Sequence, residues 1–217
     1  AFQSVQHITD KVPYGWLFRQ MHQVGSNLMI VALFLHALFV FMSGSYKKPR
    51  ELTWLTGGLM FLAVLAFCLT GYLLPWSQLS YWATTVVTTM PTAFPFLGDL
   101  AAQMLRGGEY VSDITLTRFF ALHVALLPLI FITFMIFHLL LIRRIGFSTL
   151  PFGALDRSQR PLTEFRQEDH QDGNPFYPHF AAKAAYMLAI YLTVMFFIIT
   201  FMPALFLTED AVTPADQ

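Results

Sequence analysis

Four histidines stand inside otherwise greasy runs: His22 and His36 in QMHQVGSNLMIVALFLHALFVF (20–41), His123 and His138 in FFALHVALLPLIFITFMIFHLLLI (119–142). Neither run carries a charged side chain. An imidazole can hold a metal or move a proton, and an ionisable group in a hydrocarbon layer is a functional candidate by default. The spacing narrows the choice. The first two histidines are fourteen residues apart and the second two fifteen. On a regular helix these steps return to within roughly 40° and about 60° of the starting face, and they advance about 21 Å and 22.5 Å. Each helix thus offers two imidazoles on one face, one near each membrane surface.

The elements that must position them follow from composition. Of 217 residues, 56% are apolar and 12% charged, about half the charge of a soluble domain. The net charge of zero gives nucleic acid nothing to bind. The single Cys68 excludes a disulfide framework or a thiolate metal cluster. Ala1 opens a polar segment with no apolar stretch of signal-peptide type. Four windows reach the about 20 apolar residues that a hydrocarbon core demands: Met21–Gly44, Leu52–Trp76, Phe119–Ile142 and Ala184–Leu207. Their length and continuity argue for helices rather than barrel strands. Pro75 ends the second, Pro128 is expected to kink the third, and Pro203 lies near the end of the fourth.

Loop charge sets the orientation. SYKKPREL is short and basic through Lys47, Lys48 and Arg50, and the stretch from Arg143 to Lys183 adds Arg144, Arg157, Arg160 and Arg166. The connection 77–118 has few basic residues, and the tail after Leu207 carries only Glu209, Asp210 and Asp216. Positive-inside counting places the first and third loops in the cytoplasm. The N-terminus then lies outside, which leads to the expectation of a further membrane helix before Ala1. Within the outer loop, YWATTVVTTMPTAFPFLGDLAAQML is too broken to span and is expected to form two short interfacial helices, an amphipathic lid.

Spans one and three are then parallel, so His22 shares the outer level with His123 and His36 the inner level with His138. A lone histidine in a span could equally donate a hydrogen bond across a helix interface, and a row of them could relay protons. A relay needs titratable groups between the two levels, and no titratable residue stands between the histidines on either run. Opposed neutral imidazoles match the two axial ligands of a haem iron in a helical bundle. The expected fold is an all-α integral membrane protein, four transmembrane helices in a haem-binding bundle with short interfacial helices in the outer loop. Arg19, about one turn before His22, could meet a haem propionate, or could simply snorkel to the interface. Gly25 lies one turn after His22. Gly57 and Gly71 repeat the fourteen-residue spacing on span two. Glycine lets a flat macrocycle approach a helix, although small residues also serve ordinary packing in membranes. Each ligating ring should point its other N–H at a carbonyl or hydroxyl.

KKPRELTW, TGYLLPWSQLSYWA and TLTRFFALH resemble the cytochrome b of quinol-oxidising bc-type complexes, closest to the split, short form of oxygenic photosynthesis. The likeness covers nearly all of the first 150 residues. It implies that His22 and His123 ligate an outer b haem and His36 and His138 an inner one. It also implies a mechanism. Quinol is oxidised near the outer surface; one electron goes to a Rieske iron–sulfur protein, the other through the two haems to a quinone near the cytoplasmic face, with proton translocation. Tyr72, Trp82 and Val86 match the outer quinol pocket, although interfacial anchoring alone would place Tyr and Trp there. Arg143 and Lys183 are the candidates at the inner quinone site.

The chain departs from the family pattern at four points. The first helix is absent. So is the Pro-Glu-Trp-Tyr motif of the outer pocket, which is expected on another polypeptide. Phe39 stands where many members have a propionate-binding arginine, so Lys47, Lys48 or Arg50 is expected to take over part of that role. Ala184, after Lys183, replaces an acid of the inner site in the mitochondrial type. The expected division is a dihaem bundle over 1–150, a cytoplasmic loop over 151–183, and a further transmembrane helix with an outer tail over 184–217. Expected partners are quinone, the Rieske protein, a c-type cytochrome or equivalent acceptor, a second copy in a homodimeric complex, and lipid, in a bacterial plasma membrane rather than a thylakoid. A third haem at the inner site is left open. The competing readings are a dihaem anchor of a dehydrogenase or hydrogenase and a haem-free proton transporter.

Overall fold

The computed structural model describes residues 1–146, Pro178 and residues 181–216. The regular elements among them are helices: α1 (Phe2–Lys11), α2 (Gly15–Met42), α3 (Glu51–Leu73), α4 (Gln78–Thr89), α5 (Gly98–Arg106), α6 (Asp113–Ala121), α7 (Leu127–Ile145), α8 (Ala181–Phe201) and the single turn α9 (Glu209–Val212). A π-turn, Leu122–Leu126, carries α6 directly into α7. Four runs among the described residues are long and apolar enough to cross a membrane: Gly15–Met42, Glu51–Leu73, Asp113–Ile145 and Ala181–Phe201. The all-α membrane fold expected from the sequence is the fold observed.

The ends of the spans have local causes. Helix α8 stops at Phe201 because Met202 precedes Pro203, and the residue before a proline is driven out of the helical region. Helix α3 stops two residues before Pro75. Helix α2 starts earlier than the apolar window because Arg19 interrupts hydropathy but not helix formation. At Pro128 the expected kink takes the form of the π-turn. Proline has no N–H for the preceding turn and crowds its carbonyl; the chain widens, and the Leu127 N–H donates to the Leu122 carbonyl.

The described chain falls into two compact units. The first comprises Ala1–Gln23, Ala63–Ile130 and Met202–Gln217, and so collects all three stretches expected outside. Its core is Leu73, Val111 and Phe119, with Leu69, Trp76, Tyr81 and Leu116 packed against it. Helix α4 opens with a capping box in which the Ser77 N–H donates to Ser80 Oγ (2.7 Å) and the Ser80 N–H to Ser77 Oγ (3.3 Å). The tail pairs with the same place: the Gln78 N–H donates to the Thr213 carbonyl (2.9 Å) and the Ala215 N–H to the Trp76 carbonyl (3.2 Å).

The second unit comprises Val24–Leu62 and Phe131–Phe201. Its buried apolar side chains include Val24 on α2 and Met195, Ile198 and Ile199 on α8. Tyr191 Oη of α8 donates to the Gly25 carbonyl (2.9 Å). The expected boundary at residue 150 lies outside the described residues, and so does the 151–183 loop apart from Pro178 and 181–183.

Helix α5 ends on Gly107 at φ +82°, a conformation that costs an L-residue about 1–2 kcal/mol. A Cβ there would lie 2.6 Å from Ile114 Cγ2 and 2.9 Å from Arg118 Cζ. Gly107→Ala should therefore lower the unfolding temperature of the detergent-solubilised protein by several degrees. An unchanged melting curve would contradict this account of the turn.

Candidate functional site

In the first unit, His22 on α2 faces His123 of the π-turn. Their ring centres are 6.2 Å apart and the planes nearly perpendicular, at 89°. Phe67 packs edge-on against His123 at 5.3 Å. His123 Nδ1 lies 3.1 Å from Thr70 Oγ1. The Thr70 hydroxyl donates its own proton to the Ala66 carbonyl (2.8 Å), so towards the ring it has only lone pairs to offer. Nδ1 must then carry the ring hydrogen, and Nε2 keeps the lone pair a metal requires. Gly71 makes room for this arrangement: a Cβ there would sit 2.5 Å from His123 Cε1.

The second unit repeats the pattern. His138 Nδ1 is 3.0 Å from Thr56 Oγ1, and that hydroxyl donates to the Thr53 carbonyl (2.9 Å). A Cβ on Gly57 would lie 3.3 Å from His138 Cε1. The two glycines of α3 accommodate imidazole rings directly. The threonine before each glycine escaped the sequence reading, although the signal was present: Thr56-Gly57 and Thr70-Gly71 recur at the histidines' own fourteen-residue interval.

The geometry fits an iron porphyrin. Two metal–nitrogen bonds of about 2 Å, plus roughly 1.2 Å from each nitrogen to its ring centre, separate two imidazole centres by about 6.4 Å. The observed 6.2 Å is close to that separation. Among the described residues no three His, Cys, Asp or Glu side chains converge; a porphyrin would supply the remaining coordination of an iron held between two imidazoles. The π-turn also resolves the unequal spacings. It accommodates one residue more than a regular turn, so fifteen residues from His123 to His138 have the phase of fourteen on an unbroken helix.

The remaining candidates are placed as follows. Arg19 Nη1 donates a long hydrogen bond to Thr9 Oγ1 (3.4 Å) and lines a cavity of about 180 Å³ with Thr9, Asp10 and Pro75. Gly25 faces Tyr191 and Met195, where a Cβ would meet ordinary contacts at 3.5 Å and 3.6 Å. Tyr72 is half-exposed on the last turn of α3, and Trp82 and Val86 are exposed one turn apart on α4. Trp82 Nε1 donates to Gln78 Oε1 (2.9 Å). Lys47 and Lys48 are exposed. Arg50 is buried, and its Nε donates to the Gly146 carbonyl (3.3 Å) just past α7, where the helix C-terminus favours a cation. Arg143 and Lys183 are exposed, on the last turn of α7 and the first of α8.

Residues 1–146 match the family model described as cytochrome b/b6/petB. A cytochrome b6 from Gloeobacter violaceus is 46% identical over 148 residues, 68% of this chain and 69% of that protein. A cytochrome b6 from Auxenochlorella protothecoides is also 46% identical over the same shares. A chain of a structure described as a hyperthermophilic respiratory complex III superposes with a TM-score of 0.85 at 33% identity. All of this chain is covered, against 55% of that one.

The two glycines give a graded test. Gly71→Ala should remove the cofactor at His22/His123, because 2.5 Å cannot be relieved without displacing the ring. Gly57→Ala, at 3.3 Å, should only weaken the His36/His138 site. Reduced-minus-oxidised visible spectra resolve the two components, and equal loss from both variants would contradict the assignment. Thr70→Val should lower cofactor affinity at His22/His123 by about 10–100-fold while sparing the other site. Full occupancy of both would contradict the role given to Thr70.

Proposed function

The chain belongs to the cytochrome b family, and from that premise we propose that it is the dihaem subunit of a membrane quinol oxidoreductase. In this reading it conducts electrons from an outer quinol-oxidation site through two bis-histidine b haems to an inner quinone-reduction site, coupled to proton translocation. The observation that carries the reading is the facing His22–His123 pair at 6.2 Å with the tautomer of His123 fixed by Thr70.

His22 and His123 would hold the outer iron and His36 and His138 the inner one, with the Nε2 atoms of His123 and His138 left free for it by Thr70 and Thr56. Haem b, when bound, supplies reversible one-electron chemistry at iron. Thr70 and Thr56 keep the protein's side of that bond constant: they hold the ring hydrogen on Nδ1 and orient the ring. Phe67 packs against the outer imidazole and excludes water from it. Trp82 and Val86 offer an apolar face to the ring of a membrane-soluble quinol, with Tyr72 completing the wall. Arg143 and Lys183 place positive charge at the inner end of their helices, which favours the negative charge that builds on a quinone oxygen before it takes up a proton. Lys47 and Lys48 are the cations free of the Gly146 carbonyl and suit the inner propionates, whereas Arg19 suits an outer one.

The chain is an integral membrane protein by its four spans. The further parts of the reading are a Rieske protein and a c-type cytochrome or equivalent as acceptors, a second polypeptide with the remaining pocket motif, a homodimeric complex, and a bacterial plasma membrane. The test uses the purified complex with a short-chain quinol analogue and a c-type acceptor. His123→Leu should abolish the outer haem's spectral component and reduce turnover at least about 100-fold, with the inner component retained. Loss of both components at normal protein level, or turnover that survives, would overturn the pairing. Absence of a Rieske protein from the preparation would instead favour a dihaem anchor of a dehydrogenase.

A further inference from the structure

Helix α4 is amphipathic in reverse. Ser80, Thr84 and Thr88 are buried at 3%, 1% and 0% exposure, while Trp82 and Val86, and Met90 just past the helix end, at successive turns, are 54%, 59% and 63% exposed. Thr88 and Val86 are two residues apart, roughly 160° around the helix, so the hidden polar stripe and the open apolar stripe lie on opposite sides.

Within this stripe Thr84 Oγ1 is buried without a hydrogen-bond partner, and the hydroxyls at the end of the helix set the chemistry of the partner that reaches it. Thr88 Oγ1 donates to the Thr84 carbonyl (2.8 Å) and Thr89 Oγ1 to the Thr85 carbonyl (2.6 Å). Both hydroxyls have committed their protons to the preceding turn and can only accept. A group with several donors and no acceptor suits them. Arg106, the last residue of α5, is that group. Its Nε donates to Thr88 Oγ1 (2.8 Å), its Nη2 to the Thr85 carbonyl (3.2 Å) and to Thr89 Oγ1, and its Nη1 to the Glu109 carbonyl (2.9 Å). The Arg106 carbonyl in turn accepts from Thr115 Oγ1 (2.7 Å) at the start of α6. One residue therefore ties the last turns of α4, the loop after α5 and the first turn of α6.

We infer that Arg106 is a positioning residue for the outer quinol pocket: it fixes the rotation of α4 about its axis, so that Trp82, Val86 and Met90 present a single apolar wall to the quinol. This rests on the proposed function. The guanidinium makes no hydrogen bond to Trp82, Val86 or Met90; it acts through Thr88, on the side opposite Val86, and through Thr89 at the helix end. Without it, the threonine face has accepting lone pairs and no donor, and α4 gains by rolling that face outward, which carries the wall away from the quinol.

The experiment measures quinol KM and kcat separately, together with the visible difference spectrum, in the complete complex carrying R106Q, R106K or T88V. A wall out of place by about an ångström costs up to about 100-fold. R106Q should raise KM about tenfold, with kcat at saturating quinol within about twofold and both haem components retained. R106K should fall between, since a single ammonium cannot span acceptors spread over two turns. T88V, which removes one acceptor, should raise KM about threefold. A role confined to stability would lower the amount of complex without moving KM, so an assembled R106Q complex with the parental KM overturns the inference. Where R106Q does not assemble, T88V decides: a raised KM supports the inference and an unchanged one overturns it. A haem-loaded parental complex that oxidises no quinol would overturn the proposed function, and this inference with it.

Discussion

A threonine hydroxyl that has given its proton to its own helix can only accept a hydrogen bond, and the functional geometry of this chain rests on that constraint. Thr70 donates to the Ala66 carbonyl and Thr56 to the Thr53 carbonyl, which leaves each facing a histidine with lone pairs alone. The imidazole must answer with its Nδ1 hydrogen, and Nε2 is thereby left free for a metal. In water such a preference would be weak, because solvent could serve either partner. Inside a bilayer no water competes, and an unmet polar group costs several kcal/mol. The tautomer is therefore decided by the helix that faces the histidine. Thr88 and Thr89 apply the same rule to Arg106, with a guanidinium in place of the ring.

Space is the second determinant. Helix α3 places a glycine directly after each of these threonines, and a methyl group at Gly71 would collide with the ring that Thr70 orients. The dipeptide thus both makes room for the imidazole and fixes its orientation. The spans themselves bury little of their surface within the chain, as expected of helices that are apolar all round and face lipid or neighbouring subunits.

The four spans were legible because hydropathy and length determine them. The structure brings His22 and His123 together as the pairing by level anticipates. Other features were hidden for definite reasons. A regular pitch cannot reveal the π-turn at Leu122–Leu126, which arises where Pro128 withholds a donor. Threonine is common in membrane helices, so Thr56 and Thr70 are recognisable only once their spacing is compared with that of the histidines. Arg50, read as a cation for the inner site, also bonds the end of α7 through its Nε; the sequence shows its charge but not which carbonyl it meets. Arg106 lay in a loop read only as a lid, because nothing in local sequence shows that α4 turns its polar side inward.

The central claim is that these two histidine pairs each hold an iron porphyrin. It is tested most directly by a dithionite-minus-ferricyanide visible spectrum of the chain purified in its complex, with the haem counted as the pyridine haemochrome. The account predicts two b-type haems per chain. A preparation with intact protein and no haem would contradict it, and would return the four histidines to proton transfer or packing.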